Sequence, residues 1–496
     1  MKRVIIFMLG CVLCGYAQAQ ITFPYNGILP KNTSVYALIH ATIQVDFATR
    51  IQDATMIIEN GRVREVGVDL KLPSGMVVLD MNGRYICPSF IDLYSDYGLP
   101  KTQEISGKRG ESNNDPKGAY GWNPAIRSTY RAAEFFNPSE DLATEFSKIG
   151  IGVQLIHRMD GIDRGTASLV TMGNNPNQAL LKPDAGVMHS FNKGTSTLSY
   201  PSSLMGSIAL LRQTYYDACW YETSNSERNL TLEAWNANKL LPWFFDAGDK
   251  WNILRADELG DEFNVQYVIK TNGNEYQRLA DMKNTGAAFI VPINFPDPYD
   301  VSDELTSRMI SIEEMKHWEM APANCAFLSQ AKIPFSITAF GLEDKSKFLV
   351  NLRKAVAHGL KPEEALKALT HTPAELIGVK DIGALKPGMW ANFIVSNLPL
   401  LEYDDAVIQE HWIQGSQRVF DAIPEWDPRG KYELQWNGQN TTLQIEGSAS
   451  TPKAKMMRVV RKDSISDTTW VPVQMNVLHR SLNLCWTSDD TLSSGL

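Results

Sequence analysis

The chain changes its hydrophobic periodicity twice, and this limits the folds open to it more than any single motif does. From about Ser34 to Cys87 it consists of short β-branched runs, "YALIHATIQV", "DATMIIE", "RVREVG" and "GMVVLD", punctuated by Asn60-Gly61 and Asn82-Gly83. Both dipeptides accept positive φ, so they predict tight hairpin turns in a small antiparallel unit. Between residues 139 and 378 apolar strands alternate with helical stretches. "SEDLATEFSKIG" precedes "IGVQLIHRM", and "SLMGSIALLRQTYYDACWYE" and "LTLEAWNANKL" precede "LPWFFDAG". "KWNILRADELGDEF" precedes "VQYVIKTNG", and "EYQRLADMKNTG" precedes "AAFIVPINF". Apolar strands each reached through a helix predict a parallel sheet covered by helices, and about eight of them fit a closed barrel better than an open sheet. After Gly378 strands return in "IGALKPGMWANFIVSN", "VIQEHWIQGSQRVF", "KYELQWNG" and "TTLQIEG". The expected fold class is α/β: a (β/α)8 TIM-like barrel inserted into a small β-sandwich built from both chain ends.

The expected boundaries follow from these shifts. Residues 1–19 read as an export signal, with Lys2 and Arg3 before the apolar "VIIFMLGCVLCGY" and a small-residue "AQA" cleavage site. That run is too short to span a bilayer, and no other apolar run approaches the required length. The mature chain is therefore expected to be exported, periplasmic or extracellular, without a membrane span. A lipid-anchored alternative through Cys11 has a very short apolar run before it. Residues 20–86 are assigned to the first part of the sandwich, 87–380 to the barrel, and 381–450 to the second part of the sandwich with extra hairpins. Residues 451–496 form a tail with a basic "TPKAKMMRVVRK", no Glu after Glu446 and no obvious closing element. A poorly packed or disordered extension, a truncated end and an ordinary solvated tail all fit that composition.

At 496 residues and 44% hydrophobic the chain has ample material for a large core. A net charge of −9, with no long basic block before residue 450, argues against nucleic-acid binding. Cleavage would leave Cys87, Cys219, Cys325 and Cys485, far apart and without a C-x-x-C. A thiolate metal cluster needs close pairs. Cys87, Cys219 and Cys325 sit among apolar or small neighbours and read as small buried residues.

Two longer stretches carry a family resemblance. "ENGRVREVG…VVLDMNGRYICPSFID" and "HTPAELIGVKDIGALKPGMWANFIV", in that order and separation, resemble the amidohydrolase superfamily, in its imidazolonepropionase/prolidase-like branch. The resemblance covers about residues 35–420, and "DGIDRGTASLV" adds a likeness to exported relatives. It implies a β-sandwich folded from both chain ends around the barrel, with one or two divalent metals at the C-terminal ends of the barrel strands. Such a metal lowers the pKa of bound water toward ~7, so that hydroxide can attack a carbonyl.

The ligand positions that the resemblance implies are occupied by other residues. Where the family has H-x-H after strand one, this chain has Tyr94-Ser95-Asp96 in "PSFIDLYSDYG". The strand-five histidine falls near Asp246, the strand-six histidine on Asn274 beside Glu275, and the strand-eight aspartate near Ala339, with Glu343 and Asp344 a little later. The eight histidines form no H-x-H and no H-E-x-x-H, the nearest two being His358 and His371. Zinc prefers nitrogen or thiolate donors. Asp96 and Asp246 alone would make a weak site for a hard cation. Lys270, if it points inward, is placed to neutralise Asp96 or Asp246. His157, His189 and His371 read as hydrogen-bonded or packing residues, and Ser95 has no neighbouring histidine to activate it.

Two readings follow. In the first, the chain is a non-catalytic module with no cofactor that pairs with a catalytic amidohydrolase module or with its own copy. In the second, it is an active hydrolase of non-peptide or dipeptide C–N bonds with an atypical carboxylate-based site around Asp96, Asp246 and Glu275, with zinc or another divalent metal. Loops 99–125 and 192–204, rich in Gly, Ser and Asn, are expected to rim the pocket.

Overall fold

A computed structural model describes residues 35–101, 123–173, 178–196, 198–224, 227–420, 428–436, 439–447, 452–462, 465–478, 481–488 and 491–495. The expected export signal and most of loop 99–125 lie outside the described residues. The first β unit comprises β1 (Tyr36–Gln44), β2 (Arg50–Glu59), β3 (Arg62–Gly67), β4 (Val77–Asp80) and β5 (Tyr85–Pro88). β1, β2 and β3 are antiparallel neighbours, and Asn60 and Gly61 close the β2–β3 hairpin at φ 53° and 75°. Asn82-Gly83 has the same left-handed geometry, at φ 49° and 79°, but makes no hairpin. β4 and β5 both run parallel to β1, and the Gly83 N–H donates to the His40 carbonyl at 2.7 Å. The dipeptide jogs the chain along one edge of β1, because both flanking strands keep the same neighbour. The unit is therefore mixed, and the expected all-antiparallel arrangement does not form.

The barrel strands are β6 (Phe90–Ser95), β7 (Ile151–Ile156), β8 (Asp163–Thr171), β9 (Leu180–Ser190), β10 (Trp243–Gly248), β11 (Tyr267–Thr271), β12 (Ala288–Pro292) and β13 (Phe335–Thr338). They pair in chain order. The last meets the first where the Thr338 hydroxyl donates to the Tyr94 carbonyl at 3.4 Å and the Ala339 N–H donates to Asp92 Oδ2 at 3.0 Å. The expected eight-stranded barrel is present, with one departure: β8 is antiparallel to both β7 and β9. The link 157–162 is too short for a parallel crossover, which needs a dozen residues or more, so the chain turns straight back.

Helices wrap this sheet, and side-chain caps fix several of their starts. Ser139, Asn229 and Asp249 each accept backbone N–H groups at the heads of Glu140–Lys148, Leu230–Ala237 and Lys250–Glu262. Leu93, Leu155, Ala167, Met188, Phe244, Val268 and Ile290 fill one core. Trp243, Phe245, Tyr267 and Phe289 pack with the helix residues Leu210, Ile253, Leu259 and Phe348 in another. Successive residues of a strand point to opposite faces, so Phe244 and Asp246 share the barrel interior while Phe245 faces the helices. Cys87 and Cys325 are buried, but Cys219 is exposed, against expectation. The helix Leu204–Ser224 buries Leu211, Thr214, Tyr215 and Ala218, and Cys219, one residue further round, turns away from that stripe.

β14 (Phe393–Ser396), β15 (Ile408–Ile413) and β16 (Ser416–Val419) return to the first sheet, in the order β16-β15-β14-β5-β1-β2-β3. "KYELQWNG" and "TTLQIEG" do not join it. They form β17 (Gly430–Trp436) and β18 (Gln439–Gly447), which open a separate six-stranded antiparallel meander. The tail continues that meander as β19 (Pro452–Lys462), β20 (Ile465–Leu478), β21 (Ser481–Ser488) and β22 (Thr491–Gly495), around Leu443, Ile445, Ala454, Val473 and Leu484. Among the described residues no helix is long and apolar enough to cross a membrane.

A buried histidine joins sandwich to barrel. His411 Nδ1–H donates to the Ser147 carbonyl at 3.0 Å, which leaves Nε2 to accept the Ser89 hydroxyl at 2.7 Å. Burial pushes His411 down to about 3, and does the same to His157 and His189. The folded state thus refuses protons that the unfolded chain accepts below about pH 6.5, and stability falls as pH drops from there toward 3. Asp92 and Asp163, raised by burial to about 6, oppose this, because the folded state protonates them first. His411→Gln keeps an acceptor for Ser89 and removes one proton from the balance. Between pH 6.5 and 4 its unfolding free energy, measured in urea, is expected to depend on pH less steeply, by up to about 1.4 kcal/mol per pH unit. An unchanged slope would mean that His411 is protonated in the folded protein.

Candidate functional site

One mouth of the barrel, formed by the C-terminal ends of the parallel strands and the start of the antiparallel β8, brings four polar side chains into one contact group. Tyr94 comes from the end of β6, Arg164 from the start of β8, Asp246 from β10 and Lys270 from β11. Asp246 and Lys270 are register partners on adjacent parallel strands, which is why both enter from the same side. The Tyr94 hydroxyl donates to Asp246 Oδ2 at 2.7 Å. Arg164 Nη2 donates to the same oxygen at 3.1 Å, and Nη1 donates to the Tyr94 hydroxyl oxygen at 3.1 Å. Lys270 Nζ lies 3.5 Å from the other carboxylate oxygen, Oδ1. Arg164 is 3% exposed, Lys270 15% and Asp246 20%, so the group sits just inside the mouth.

Local backbone geometry aims the arginine. Gly165 adopts φ 75°, its N–H donates to Asp163 Oδ1 at 3.0 Å, and Arg164 Nε donates to the Gly161 carbonyl at 3.3 Å. The Tyr94 ring is held edge-on by His157 at 4.5 Å and by Phe340 at 4.7 Å. His157 Nδ1–H donates to the Arg158 carbonyl at 2.8 Å, so its lone pair is on Nε2. That atom is buried and has no hydrogen-bond partner among the described residues.

Burial and charge set the protonation states. Burial pushes the Asp246 carboxyl upward, but the charges of Arg164 and Lys270 and the hydrogen bond from Tyr94 outweigh it, and its pKa falls below the ordinary value. Burial raises the Tyr94 phenol, and Asp246 adds to the rise against the pull of Arg164. Burial and then the Arg164 charge lower His157 to about 3. At neutral pH the group therefore holds two cations, one carboxylate, a neutral phenol and a neutral imidazole. Asp92, two residues deeper on β6, accepts the backbone N–H groups of Tyr94 and Ala339 at 3.0 Å each, with neither cation in contact. A cleft of about 480 Å³ borders the group at Asp246, with Ser190, Asn192, Ser203 and Asn252 among its walls. Part of the 192–204 loop thus lies where the sequence expects it.

Of the residues singled out in the sequence, Tyr94, Asp246 and Lys270 meet. Asp96 is exposed and lies outside the group. Asn274 and Glu275 sit on the turn after β11. Glu275 is fully buried and accepts the Asn324 amide and, at 3.3 Å, the Gly273 N–H. Glu343 and Asp344 are exposed. The Ser95 hydroxyl donates to Gln154 Oε1 at 3.0 Å. His189 stacks on Trp243 at 4.8 Å, and His371 is exposed beside Glu375. Arg164 is the residue that sequence reasoning missed. Its signal is a guanidinium in "DRGTASLVT", a strand whose every residue is buried, and a buried charge needs a counter-ion.

The donor set does not fit a divalent cation. The carboxylate at the strand-five position has one oxygen bonded to a guanidinium and the other beside an ammonium. A metal ion there would face two fixed positive charges at ligand distance. Among the described residues no three His, Cys, Asp or Glu side chains are gathered to hold one.

No family model matches the chain. An adenine deaminase from Lactobacillus delbrueckii subsp. bulgaricus is 46% identical over 46 residues, which is 9% of this chain and only 8% of that protein. Among solved structures, an amidohydrolase from Thermotoga maritima superposes with a TM-score of 0.61 at 20% identity, covering 77% of this chain and 99% of its own. An N-isopropylammelide isopropylaminohydrolase from Burkholderia multivorans covers 77% of this chain and 98% of its own, at 15% identity and a TM-score of 0.41. The first superposition shows that this chain has the fold of the Thermotoga amidohydrolase.

Proposed function

We propose that this hydrolase-like chain is a non-catalytic, metal-free member of the amidohydrolase fold, exported to the periplasm or outside the cell, which supports a catalytic amidohydrolase module or its own copy. One observation carries the reading: Arg164 and Lys270 take the two oxygens of Asp246. Two side-chain cations stand about Asp246, at the position where the resemblance implies a metal-ligating histidine, and they supply positive charge without a Lewis acid or an activated water. The hydrolase alternative needs Asp96, Asp246 and Glu275 to converge. Asp96 is exposed and Glu275 is bonded to Asn324, so no observation favours it.

Elemental analysis of the purified full chain is expected to find well under one equivalent of zinc or other divalent metal, and chelator is expected to leave the melting temperature unchanged. Tyr94→His combined with Asp96→His is expected to gain neither metal nor hydrolysis. Stoichiometric metal, lost together with amide hydrolysis in Asp246→Asn, would overturn the proposal.

A further inference from the structure

We propose that the barrel mouth binds a small organic monoanion, a carboxylate carrying a hydrogen-bond donor, with the ammonium of Lys270 as its anchor. The inference rests on the metal-free reading of the same group and deepens it by naming a ligand class. Two facts single out Lys270. The first is charge: the contact group contains two cations and one carboxylate, so one positive charge is left over. The phenol and imidazole beside it are neutral. The two nearby buried carboxylates are served by other donors, Asp92 by backbone amides and Asp163 by the Gly165 N–H and the Ser128 hydroxyl, with no hydrogen bond or ion pair from Arg164 or Lys270 to either among the described residues.

The second fact is donor inventory. Arg164 uses three of its five N–H donors, Nε on the Gly161 carbonyl, Nη1 on the Tyr94 oxygen and Nη2 on Asp246, and at 3% exposure against 15% for Lys270 it is the less accessible cation. An ammonium has three donors. Lys270 has Asp246 Oδ1 at 3.5 Å, and two aromatic faces, Tyr94 at 5.0 Å and Phe340 at 5.5 Å. The Asp246 contact is an ion pair, and Lys270 makes no hydrogen bond to any acceptor among the described residues. The rings stabilise its charge but accept no directed N–H···O bond. An incoming carboxylate supplies those acceptors and cancels the surplus charge.

The neighbouring observations shape the rest of the ligand. His157 Nε2 is a fully buried lone pair without a partner, packed against the Tyr94 ring of the same group. It suits an O–H or N–H on the ligand. The cleft at Asp246 mixes small hydroxyls, Ser190 and Ser203, with the apolar Phe191 and Leu204, and its roughly 480 Å³ is in the range of small-molecule sites. The cleft meets the contact group at Asp246, and its own cation, Lys193, donates to the Leu198 carbonyl at 2.8 Å. Within the contact group a single surplus charge suits a monoanion better than a phosphate dianion.

The test is calorimetric titration of the full chain with 3-phenyllactate, its neutral amide and inorganic phosphate. The acid is expected to bind at least about tenfold more tightly than the amide or phosphate. Lys270→Met is expected to lose at least about that factor, while Lys270→Arg retains binding. Circular dichroism and the melting temperature of each variant separate loss of binding from loss of fold. Equal binding of acid and amide, equal binding of phosphate, no binding of the acid, or undiminished binding by a folded Lys270→Met would each overturn the inference. Its failure is distinguishable from that of the metal-free reading. Stoichiometric zinc with ligand binding still lost in Lys270→Met sinks the latter alone, and a metal-free protein whose Lys270→Met variant binds normally sinks the former alone.

Discussion

Asp246→Ala is expected to destabilise the barrel by about 3–5 kcal/mol, the usual cost of removing one partner from a buried ion pair. The loss comes from what remains. Arg164, 3% exposed, keeps its charge with no counter-ion in contact, and the Tyr94 hydroxyl loses the acceptor at 2.7 Å. Lys270 is less affected, because it is more exposed and still faces two rings. Asp96→Ala, two residues beyond Tyr94 but exposed, is expected to stay within about 0.5 kcal/mol of the parent. Urea denaturation of both variants, followed through the barrel transition, checks the contrast. Similar midpoints for the two would show that Asp246 carries no structural charge, and the account of the mouth would fall with it. Asp246→Asn, which keeps an acceptor for Tyr94 but not the charge, is expected to lie between them.

The parts of this site that sequence could show lie on strands that obey the simplest rules. "FFDAG" and "VIKTNG" are each reached through a helix and belong to adjacent parallel strands, so an inward Asp246 implies an inward Lys270 one strand away. The orientation of Tyr94 against Asp96 was not legible. β6 shifts register against β7 between Asp92 and Ser95, which resets the two-residue alternation on which such a reading depends. Arg164 was hidden for a different reason. β8 runs against its neighbours, so a search for strands entered through helices passes over it, although its buried arginine is the strongest electrostatic signal in that stretch. Asn82-Gly83 shows the same limit on a smaller scale. The positive φ was predictable, but whether it reverses a strand or jogs it depends on which edge lies alongside. The helix caps at Ser139, Asn229 and Asp249 stand at the other extreme, because capping is decided within four residues.

Gly165→Ala is expected to cost about 3 kcal/mol or more. Two glycines near the mouth share a left-handed backbone, Gly165 at φ 75° and Gly248 at φ 77°, so alanine at either carries the same conformational cost of about 1 kcal/mol. Their surroundings differ. At Gly248 an added Cβ meets nothing within 4 Å. At Gly165 it would stand 2.1 Å from the Tyr130 carbonyl oxygen and 2.8 Å from that of Arg127. Both obstacles are backbone, so no rotamer change relieves them. The Tyr130 carbonyl also accepts the Thr166 N–H at 2.9 Å, and Arg127 donates to the Asp163 carbonyl at 3.0 Å. Moving either away breaks the pairing that holds the start of β8. Because Arg164 is the preceding residue, the displacement also pulls its guanidinium from Asp246. Gly248→Ala is thus expected to lose about 1 kcal/mol in urea denaturation, and Gly165→Ala at least twice as much more. Equal losses would show that segment 127–131 yields freely, and that the close approach at Gly165 is not what aims Arg164.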